Sequence, residues 1–385
     1  MPKSRGIPDF LLLFMTLALV GFGILMVFSA SYILAYNDPN YSDSLYFVKK
    51  QVTWAVLGSI MMLVTMNIPY TFYKKNFPII VILSFCLLFL VYTPLGVVIN
   101  GARSWVRLGS FSFQPAEFAK LGLIIYLAGL IAKKGDKFRT WKKGLFPALI
   151  VSGTFFIAIA EHDFGGGFIL FASALAVIFA GGAHLKQLAT LCIPVAVAAL
   201  LLVITTPYRL TRITTFLDPW NDGMNGLGTG FQLIQSLYAI AHGSYYGVGF
   251  GKSIQKYLYL PYPQTDFIFA VIAEEFGLVG CLVFILFFVL FLWRIIHITL
   301  KCQDTFAQLV GIGVVSMISI QTFINIGGVT GIIPITGVTL PFISYGGTSL
   351  LICMISMGII LSISREISKK SVDNKPSAKG LSIGG

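Results

Sequence analysis

The sequence predicts an all-α membrane protein that crosses the bilayer several times. Of its 385 residues, 56% are hydrophobic and only 11% are charged, and the mean hydropathy is +0.86. A soluble domain of this size would carry roughly 25% charged residues. Apolar runs of membrane-spanning length also recur along the whole chain. These observations exclude an ordinary soluble enzyme.

About ten apolar runs reach the roughly 17 to 25 residues that a helix needs to cross a bilayer. They predict ten transmembrane helices near residues 10–32, 52–68, 77–98, 116–132, 145–160, 167–183, 188–206, 267–293, 306–330 and 345–363. The first residues, 1–9, form a polar N-terminal tail, and residues 10–366 form one membrane domain. The Ser- and Lys-rich segment 367–385 is expected to be a disordered tail.

Two segments between the predicted helices are unusual. Residues 100–115 form a short loop with two arginines and a tryptophan. Residues 207–265, between helices 7 and 8, form a loop far longer than a connector requires, and such loops tend to be functional. The run 231–241 within it is apolar enough to form a helix on the outer face.

The distribution of Lys and Arg indicates the orientation. With the N-terminus inside, 18 of the 27 basic residues fall on the inner side and 9 on the outer side. Basic residues concentrate in cytoplasmic loops, so we expect both termini in the cytoplasm. Because these residues are scattered among short loops, the net charge of +12 does not predict nucleic-acid binding. The five cysteines have neither metal-ligand nor disulfide-framework spacing.

Asp266 is a lone carboxylate at the start of the apolar run 267–293. If that run is an uninterrupted helix, Asp266 lies in its first turn, where free N–H groups and the helix dipole favour a negative charge. Ala270, Ala273 and Gly277 would share its face, so a bulky group could pack close to it. This position makes Asp266 the main candidate for a functional acid.

Glu274 and Glu275 lie about 12 Å deeper along the same helix, at 1.5 Å per residue. Carboxylates at that depth must face protein or water rather than lipid. A lipid flippase or transporter would also place ionisable residues there, although such proteins usually show repeats or broken helices. A division scaffold without catalytic activity is a third hypothesis, but it leaves Asp266 unexplained.

Several outer polar residues have two interpretations. One interpretation is that the outer basic residues bind an anionic ligand. The other is that they form a solvated rim or contact lipid headgroups. Glu117 and Lys120, one helical turn apart, belong to a site or simply neutralise each other. Glu161 and Asp163 cap a helix or join a polar cluster. The outer basic residues are Arg103, Arg107, Arg209, Arg212, Lys252 and Lys256.

Five segments together resemble the SEDS family of bacterial cell-wall proteins (shape, elongation, division and sporulation), over about residues 9–365. TGVTLPF, which lies within the last of these segments, and SIQKYLYLP, which precedes Asp266, are more similar to the FtsW/SpoVE branch than to the RodA branch. The five segments are GARSWVRLG (101–109), FSFQPAEFAKL (111–121), GFQLIQSLYAI (230–240), LPYPQTDFIFAVIAEEFG (260–277) and PITGVTLPFISYGGTSL (334–350).

The resemblance implies the ten-helix SEDS fold and a peptidoglycan glycosyltransferase that polymerises lipid II at the outer face of the cytoplasmic membrane during division or sporulation. It implies a class B penicillin-binding protein (a transpeptidase) and other divisome proteins as partners, at the septum. Asp266 falls on the catalytic acid of the family, which we interpret as a general base. The predicted substrate-binding residues are Arg103, Trp105, Arg107, Glu117, Lys120, Asp163, Arg209, Arg212, Gln232, Gln235, Lys252 and Lys256.

The chain also departs from the family pattern. Family members commonly carry Gln-Pro-Asp where this chain has Glu161, His162 and Asp163, and usually Glu at the position of Tyr262. The sequence identifies no cofactor with certainty, and a divalent cation, Mg²⁺ or Mn²⁺, is the candidate. Membrane lipids are expected around the helices, with a groove for the polyprenyl chain.

Overall fold

The structure is a computed structural model. It describes residues 6–39, 41, 43–99, 102–109, 111–222, 224 and 226–373. Helices dominate this part of the chain, and three short strands form one sheet. The strands are β1 (Gly96–Ile99), β2 (Ala102–Leu108) and β3 (Phe111–Phe113). The helices are α1 (Phe10–Asn37), α2 (Tyr46–Asn67), α3 (Tyr70–Phe89), α4 (Pro115–Lys134), α5 (Phe146–Ala160), α6 (Phe164–Ala180), α7 (Leu185–Ile204), α8 (Pro207–Leu217), α9 (Phe231–Gly243), α10 (Ile268–Leu300), α11 (Thr305–Val329) and α12 (Gly347–Asp373).

The long apolar helices match the apolar runs of the sequence. Within the described residues, nine helices are long and apolar enough to cross a membrane, and α6 is a shorter apolar helix of 17 residues. Each of the ten falls on one of the ten predicted spans. The prediction of an all-α polytopic membrane protein is therefore confirmed, with a small sheet added to it.

Helix α4 lies at the centre of the bundle, and α3 packs closely against it. A Cβ at Gly129 would lie 2.4 Å from the Phe77 ring, and one at Gly122 would lie 2.0 Å from Ser84 Oγ. Only glycine allows these two helices to approach so closely. Helix α7, by contrast, buries only Leu191 and Val195 and lies at the periphery.

The segment predicted as a short loop between the third and fourth spans is a three-stranded antiparallel sheet. Val97 lies opposite Trp105, and Val106 lies opposite Phe113. Val106 is fully buried, so the sheet packs onto one end of the bundle. The strands are only three to seven residues long, and an alternation of period two is hard to recognise over so few residues.

The long loop after α7 contains two helices. Helix α9 (Phe231–Gly243) confirms the helix predicted over 231–241, and α8 was not predicted. Ser236 Oγ donates a hydrogen bond to the Val329 carbonyl at 2.7 Å. This bond fixes α9 to the end of α11, so the loop packs against the membrane helices.

Helix α10 is not uninterrupted, and the prediction was wrong at Gly277. Its φ of 66° and ψ of −168° break the helix. The N–H groups of Leu278 and Val279 donate instead to the carbonyls of Ser244 and Tyr245, at 2.9 and 3.0 Å. The break therefore exchanges helical hydrogen bonds for bonds to the segment that follows α9.

The face of small residues below Asp266 is also occupied by this part of the chain. A Cβ at Gly243 would lie 1.9 Å from the Ala273 carbonyl oxygen, and one at Gly277 would lie 2.3 Å from the Gly247 nitrogen. The face thus packs against α9 and its following turn. The expected bulky neighbour is the protein itself, and this face is not an open lipid groove.

The two ends of the chain are partly described. Asp9, assigned above to the N-terminal tail, caps α1 by accepting a hydrogen bond from the Leu12 N–H at 2.9 Å. Helix α12 continues to Asp373, so residues 367–373 are helical rather than disordered as predicted. Residues 1–5 and 374–385, also assigned to the tails, lie outside the described residues.

Candidate functional site

Asp266 lies in the turn that precedes α10. The helix begins at Ile268 with Phe267 as its N-cap, so Asp266 is outside the first turn in which it was expected. The Asn325 side chain donates from Nδ2 to the Asp266 carbonyl at 2.8 Å and to the Val338 carbonyl at 2.7 Å. A residue of α11 therefore ties the turn to the segment between α11 and α12.

That segment, residues 330–346, holds the turn at two more points. Ser344 Oγ donates to the Thr265 carbonyl at 2.6 Å, and the Tyr345 N–H donates to the Gln264 carbonyl at 2.8 Å. These bonds fix the backbone on the N-terminal side of Asp266. The backbone that carries the carboxyl group is consequently held by hydrogen bonds to two other parts of the chain.

The Asp266 side chain is half-buried at the edge of a small pocket. Burial raises the pKa of Asp266, the positive charge of Arg212 opposes the rise and the Asp163 carboxylate adds to it, so that the pKa is about 6. A carboxyl with this pKa is a suitable general base near neutral pH. The pocket is lined by Asp266, Phe267, Ile324, Asn325, Gly328, Val329, Ile335, Thr336, Gly337 and Val338.

Asp163 is both a helix cap and a member of a polar cluster, so the two interpretations of this residue hold together. Its Oδ1 accepts from the Gly166 N–H at 2.8 Å at the start of α6, and its Oδ2 accepts from Gln114 Nε2 at 2.9 Å. Burial raises the pKa of Asp163. Glu161 is separate from this cluster, because its carboxylate accepts from the Tyr92 hydroxyl at 2.9 Å.

Glu117 and Lys120 form a buried ion pair on α4, with 2.8 Å between Oε1 and Nζ. Lys120 Nζ also donates to Gln321 Oε1 at 3.1 Å, and Gln321 Nε2 donates to the Thr339 carbonyl at 3.0 Å. The two charges neutralise each other. Through Gln321, the pair also joins α4 to α11 and to the segment that follows α11. Both charges also act on Asp163.

The two arginines of α8 have different environments. Arg209 donates to the carbonyls of Ala160, Glu161 and Leu202, at 2.8, 2.6 and 3.0 Å, so it caps the ends of α5 and α7. Arg212 donates to the carbonyl of Ile335 at 2.9 Å, and Ile335 lines the Asp266 pocket. Of the two arginines, Arg212 is the one whose charge acts on Asp266.

The β2 residues predicted to bind substrate lie at the surface of the sheet. Arg103 donates to the Thr93 carbonyl at 2.9 Å, Trp105 is half-buried and Arg107 is exposed. On α9, Gln232 and Gln235 are half-buried. None of these side chains lines the Asp266 pocket.

Lys252 and Lys256 are also separated from Asp266. Lys252 is exposed, whereas Lys256 is buried and its Nζ lies 3.1 Å from Glu275 Oε1. Lys256 Nζ also donates to the Gly251 carbonyl at 2.6 Å. Because this ammonium group already has protein partners, its placement does not support the predicted substrate contact.

The described residues contain no group of three or more His, Cys, Asp or Glu side chains that could hold a metal ion. Asp163 and Asp266 interact electrostatically, and Mg²⁺ is commonly held by one or two carboxylates together with substrate phosphates. The residues present fit a divalent cation shared with a diphosphate, rather than one in an all-protein cage.

Sequence reasoning missed the uncharged residues that build the site. Gln114, Gln321, Asn325 and Ser344 hold the acidic residues and their backbone in place. The available signal was the presence of amide side chains within apolar runs, where an unpaired polar group is costly. The sequence does not show which partners these groups find.

The fold and the site together define a class: a polytopic helical membrane protein with a desolvated acid next to an arginine at one end of its bundle. Residues 10–369 match the model of the FtsW/RodA/SpoVE family, described as cell cycle protein. The chain belongs to this family, which confirms the resemblance found in the sequence.

Curated relatives and solved structures agree with this assignment. The chain is 42% identical to Stage V sporulation protein E of Bacillus subtilis, over 95% of this chain and 99% of the relative. It is also 42% identical to a probable peptidoglycan glycosyltransferase FtsW of Thioalkalivibrio sulfidiphilus, over 96% of this chain and 91% of the relative.

Two solved structures share the fold. One is a chain from "Structural coordination of polymerization and crosslinking by a peptidoglycan synthase complex", with a TM-score of 0.75 and 29% identity over 94% of this chain and 98% of that chain. The other is the rod shape determining protein RodA of Thermus thermophilus, with a TM-score of 0.68 and 26% identity over 93% and 97%.

Proposed function

We propose that this protein is a peptidoglycan glycosyltransferase that polymerises lipid II during cell division or sporulation, with Asp266 as the general base. The observation that carries the proposal is a carboxyl group with a pKa of about 6, fixed at the edge of a pocket near Arg212. The names of its FtsW relatives support the same activity.

The proposed reaction needs one base. The hydroxyl oxygen of the acceptor sugar forms a bond to the anomeric carbon of the donor, and its proton passes to the Asp266 carboxylate. The bond between that carbon and the lipid diphosphate breaks, and the diphosphate leaves with the electron pair. Arg212 stabilises the charge that develops on the leaving group. A Mg²⁺ or Mn²⁺ ion, if bound, would be held by Asp163 together with the diphosphate and would supply further positive charge.

The transporter hypothesis loses its main support in this structure. Glu274 accepts from Ser253 Oγ at 2.5 Å and from the Ile254 N–H at 2.9 Å. Glu275 accepts from Ser29 Oγ at 2.5 Å and pairs with Lys256. Both carboxylates thus hold the outer loop against the bundle, and nothing in their contacts favours transport.

The function is tested with purified protein in liposomes that carry lipid II on the outer leaflet only. We expect glycan polymer on gels. A transporter would move lipid II across the bilayer without making polymer, and a scaffold would do neither. Absence of polymer under conditions in which a FtsW relative is active would contradict the proposal.

We further propose that both termini lie in the cytoplasm, with residues 207–265 outside the cytoplasmic membrane, at the division septum. The asymmetry of 18 to 9 basic residues supports this orientation. A class B penicillin-binding protein and other divisome proteins are the proposed partners. One structural neighbour belongs to a peptidoglycan synthase complex, which supports such a partner.

Cysteine labelling tests the orientation. In a variant without native cysteines, Tyr246→Cys and Lys137→Cys introduce exposed thiols at opposite ends of the bundle. We expect a membrane-impermeant maleimide added to intact cells to label the Tyr246→Cys variant alone, and cell lysis to expose the Lys137→Cys thiol. If intact cells instead label Lys137→Cys, and Tyr246→Cys reacts only after lysis, the proposed orientation is contradicted. Asp266 would then lie on the wrong side of the membrane for lipid II.

The two arginines of α8 are expected to have different roles. Arg212 contacts the substrate, and Arg209 stabilises the fold. Arg212→Gln is expected to raise the KM for lipid II about tenfold or more with little loss of stability, because charge-assisted bonds to a diphosphate are strong. Arg209→Gln leaves three helix-end carbonyls without their donor and should mainly lower the thermal unfolding temperature. Steady-state kinetics and thermal unfolding in detergent measure both effects, and an unchanged KM in Arg212→Gln would remove it from the site.

A further inference from the structure

Two connecting segments form a basic surface at the end of the bundle remote from Asp266. One segment, residues 133–146, joins α4 to α5, and the other, residues 181–187, joins α6 to α7. Together they carry seven basic residues and a single acidic residue, Asp136. This surface is here called the Trp141 surface. Its basic residues are Lys133, Lys134, Lys137, Arg139, Lys142, Lys143 and Lys186.

The length of α4 separates this surface from the candidate site. Gln114, the N-cap of α4, donates to Asp163, whose charge acts on Asp266. The 20 residues of α4 then place Lys134 about 30 Å away, at 1.5 Å per residue. The Trp141 surface is therefore not part of the Asp266 site.

The structure brings the two segments into contact. Gln187 Nε2 donates to the Arg139 carbonyl at 2.9 Å, across 48 residues of sequence. The Arg139 side chain lies against Gly182, where a Cβ would be 2.9 Å from Arg139 Nε. Lys186, at the start of α7, is therefore next to the basic residues that follow α4. The seven positive charges belong to one surface.

The backbone under these basic side chains is anchored in the bundle. Phe138 and Leu145 are fully buried below the surface. Between them, a Cβ at Gly144 would lie 1.9 Å from the Phe138 carbonyl oxygen. Lys134 Nζ donates to the Lys143 carbonyl and closes the segment. A ligand therefore meets a backbone that is already folded, which lowers the entropic cost of binding.

The positive charges of the Trp141 surface are not compensated by the protein. The ion pairs among the described residues involve none of the seven basic residues. Six of the seven are exposed, and Lys134 is half-buried. Because neighbouring like charges repel one another, this density of positive charge favours an anionic partner.

Exposed apolar side chains lie among these charges. Trp141, Phe146 and Leu185 are all exposed. Phe146 and Leu185 are the first residues of α5 and α7, so the apolar spans begin directly beside the basic residues. Tryptophan is enriched where lipid headgroups meet the hydrocarbon of a bilayer. The basic groups therefore lie at headgroup depth, which favours a lipid over a soluble protein or a nucleic acid.

We propose that the Trp141 surface binds the headgroups of anionic phospholipids in the leaflet at this end of the bundle. Lys142, Lys143 and Lys186 pair with the headgroup phosphates, and the Trp141 ring contacts the lipid at the boundary of the acyl chains. Basic clusters beside membrane helices are attracted to anionic lipids in this way. The inference goes beyond the proposed function and does not depend on it.

The test uses the full protein in phosphatidylcholine vesicles. One set contains brominated phosphatidylglycerol, and the other contains the same fraction of brominated phosphatidylcholine, because bromine quenches a nearby tryptophan. The signal of Trp141 is the difference between a protein and the same protein carrying Trp141→Phe. We expect stronger quenching by the anionic lipid. This preference should weaken at about 1 M salt, where the Debye length is about 3 Å.

Lys142→Gln combined with Lys143→Gln removes two adjacent charges from the surface. The preference for phosphatidylglycerol should fall about fivefold for each lysine removed. Lys49→Gln combined with Lys50→Gln is the matched control, because it makes the same change in an adjacent, exposed pair. This pair lies at the other end of the bundle, where Phe47 packs on Tyr345, and its removal should leave the preference unchanged.

Two results would overturn the inference. One is equal quenching by the two lipids in the unaltered protein, which would favour an acidic protein segment as the partner. The other is an unchanged preference in the protein with Lys142→Gln and Lys143→Gln. Polymerisation is not part of this measurement, so failure of the proposed function is recognised separately, by absence of polymer from lipid II.

Discussion

Asp266→Asn is expected to lower the rate of lipid II polymerisation by about 10²- to 10⁴-fold, the usual contribution of a positioned general base. Asparagine keeps the size of the side chain but cannot accept the proton of the acceptor hydroxyl. The backbone bonds that hold this turn come from Asn325 and Ser344 and involve main-chain carbonyls, so they survive the change. The fold should therefore be retained while the activity is lost.

The assay compares polymer length on gels from equal amounts of folded protein. Asp218→Asn is the matched control, because it makes the same chemical change at an exposed position in the segment between α8 and α9. It should leave polymerisation within about twofold. Wild-type polymer from Asp266→Asn would remove this residue from the catalytic role and reopen the transporter and scaffold hypotheses.

The same carboxyl group predicts the pH dependence of the reaction. Its pKa is raised to about 6 by burial, and only the ionised form can accept a proton. Activity should therefore fall as pH decreases through 6 and reach a plateau above about pH 7, with kcat/KM reporting the free protein. An apparent pKa near the ordinary value for aspartate, about 3.9, would contradict the desolvated environment.

Lys256→Met is expected to cost about 3–5 kcal/mol of stability, since removing one partner of a buried ion pair leaves an uncompensated charge. The side chains of Lys256 and Glu275 are 5% and 0% exposed. Glu275 is already short of partners, because its Oε2 has no hydrogen bond to any described residue. The variant should unfold at a lower temperature in detergent and yield less folded protein.

Lys252→Met serves as the control for this prediction, because Lys252 lies four residues away and is exposed. Its unfolding temperature should change little. Replacing both partners, as Lys256→Met with Glu275→Leu, should recover much of the stability, since the buried charge is then removed as well. Equal unfolding temperatures for Lys256→Met and the unaltered protein would return Lys256 to the set of substrate ligands.

Lys256 also shows why several site residues could not be assigned from the sequence. A basic residue in an outer loop is equally compatible with a ligand contact, a lipid contact or an ion pair. The choice depends on whether a carboxylate from another part of the chain reaches it, and here Glu275 does. Arg209 and Arg212 lie three residues apart in sequence, yet one caps helix ends and the other contacts the rim of the Asp266 pocket.

The sequence by itself determined the class of protein and the ten apolar segments, and it predicted Asp266 as the functional acid. These follow from the cost of placing polar groups in lipid, which requires long apolar runs and makes an isolated acid conspicuous. Only the tertiary structure decided where α10 breaks, which basic groups are already paired and which amides hold the turn of Asp266. Those outcomes depend on contacts between residues far apart in the chain, such as Asn325 with Asp266 and Gly277 with the turn after α9, and no local pattern specifies them.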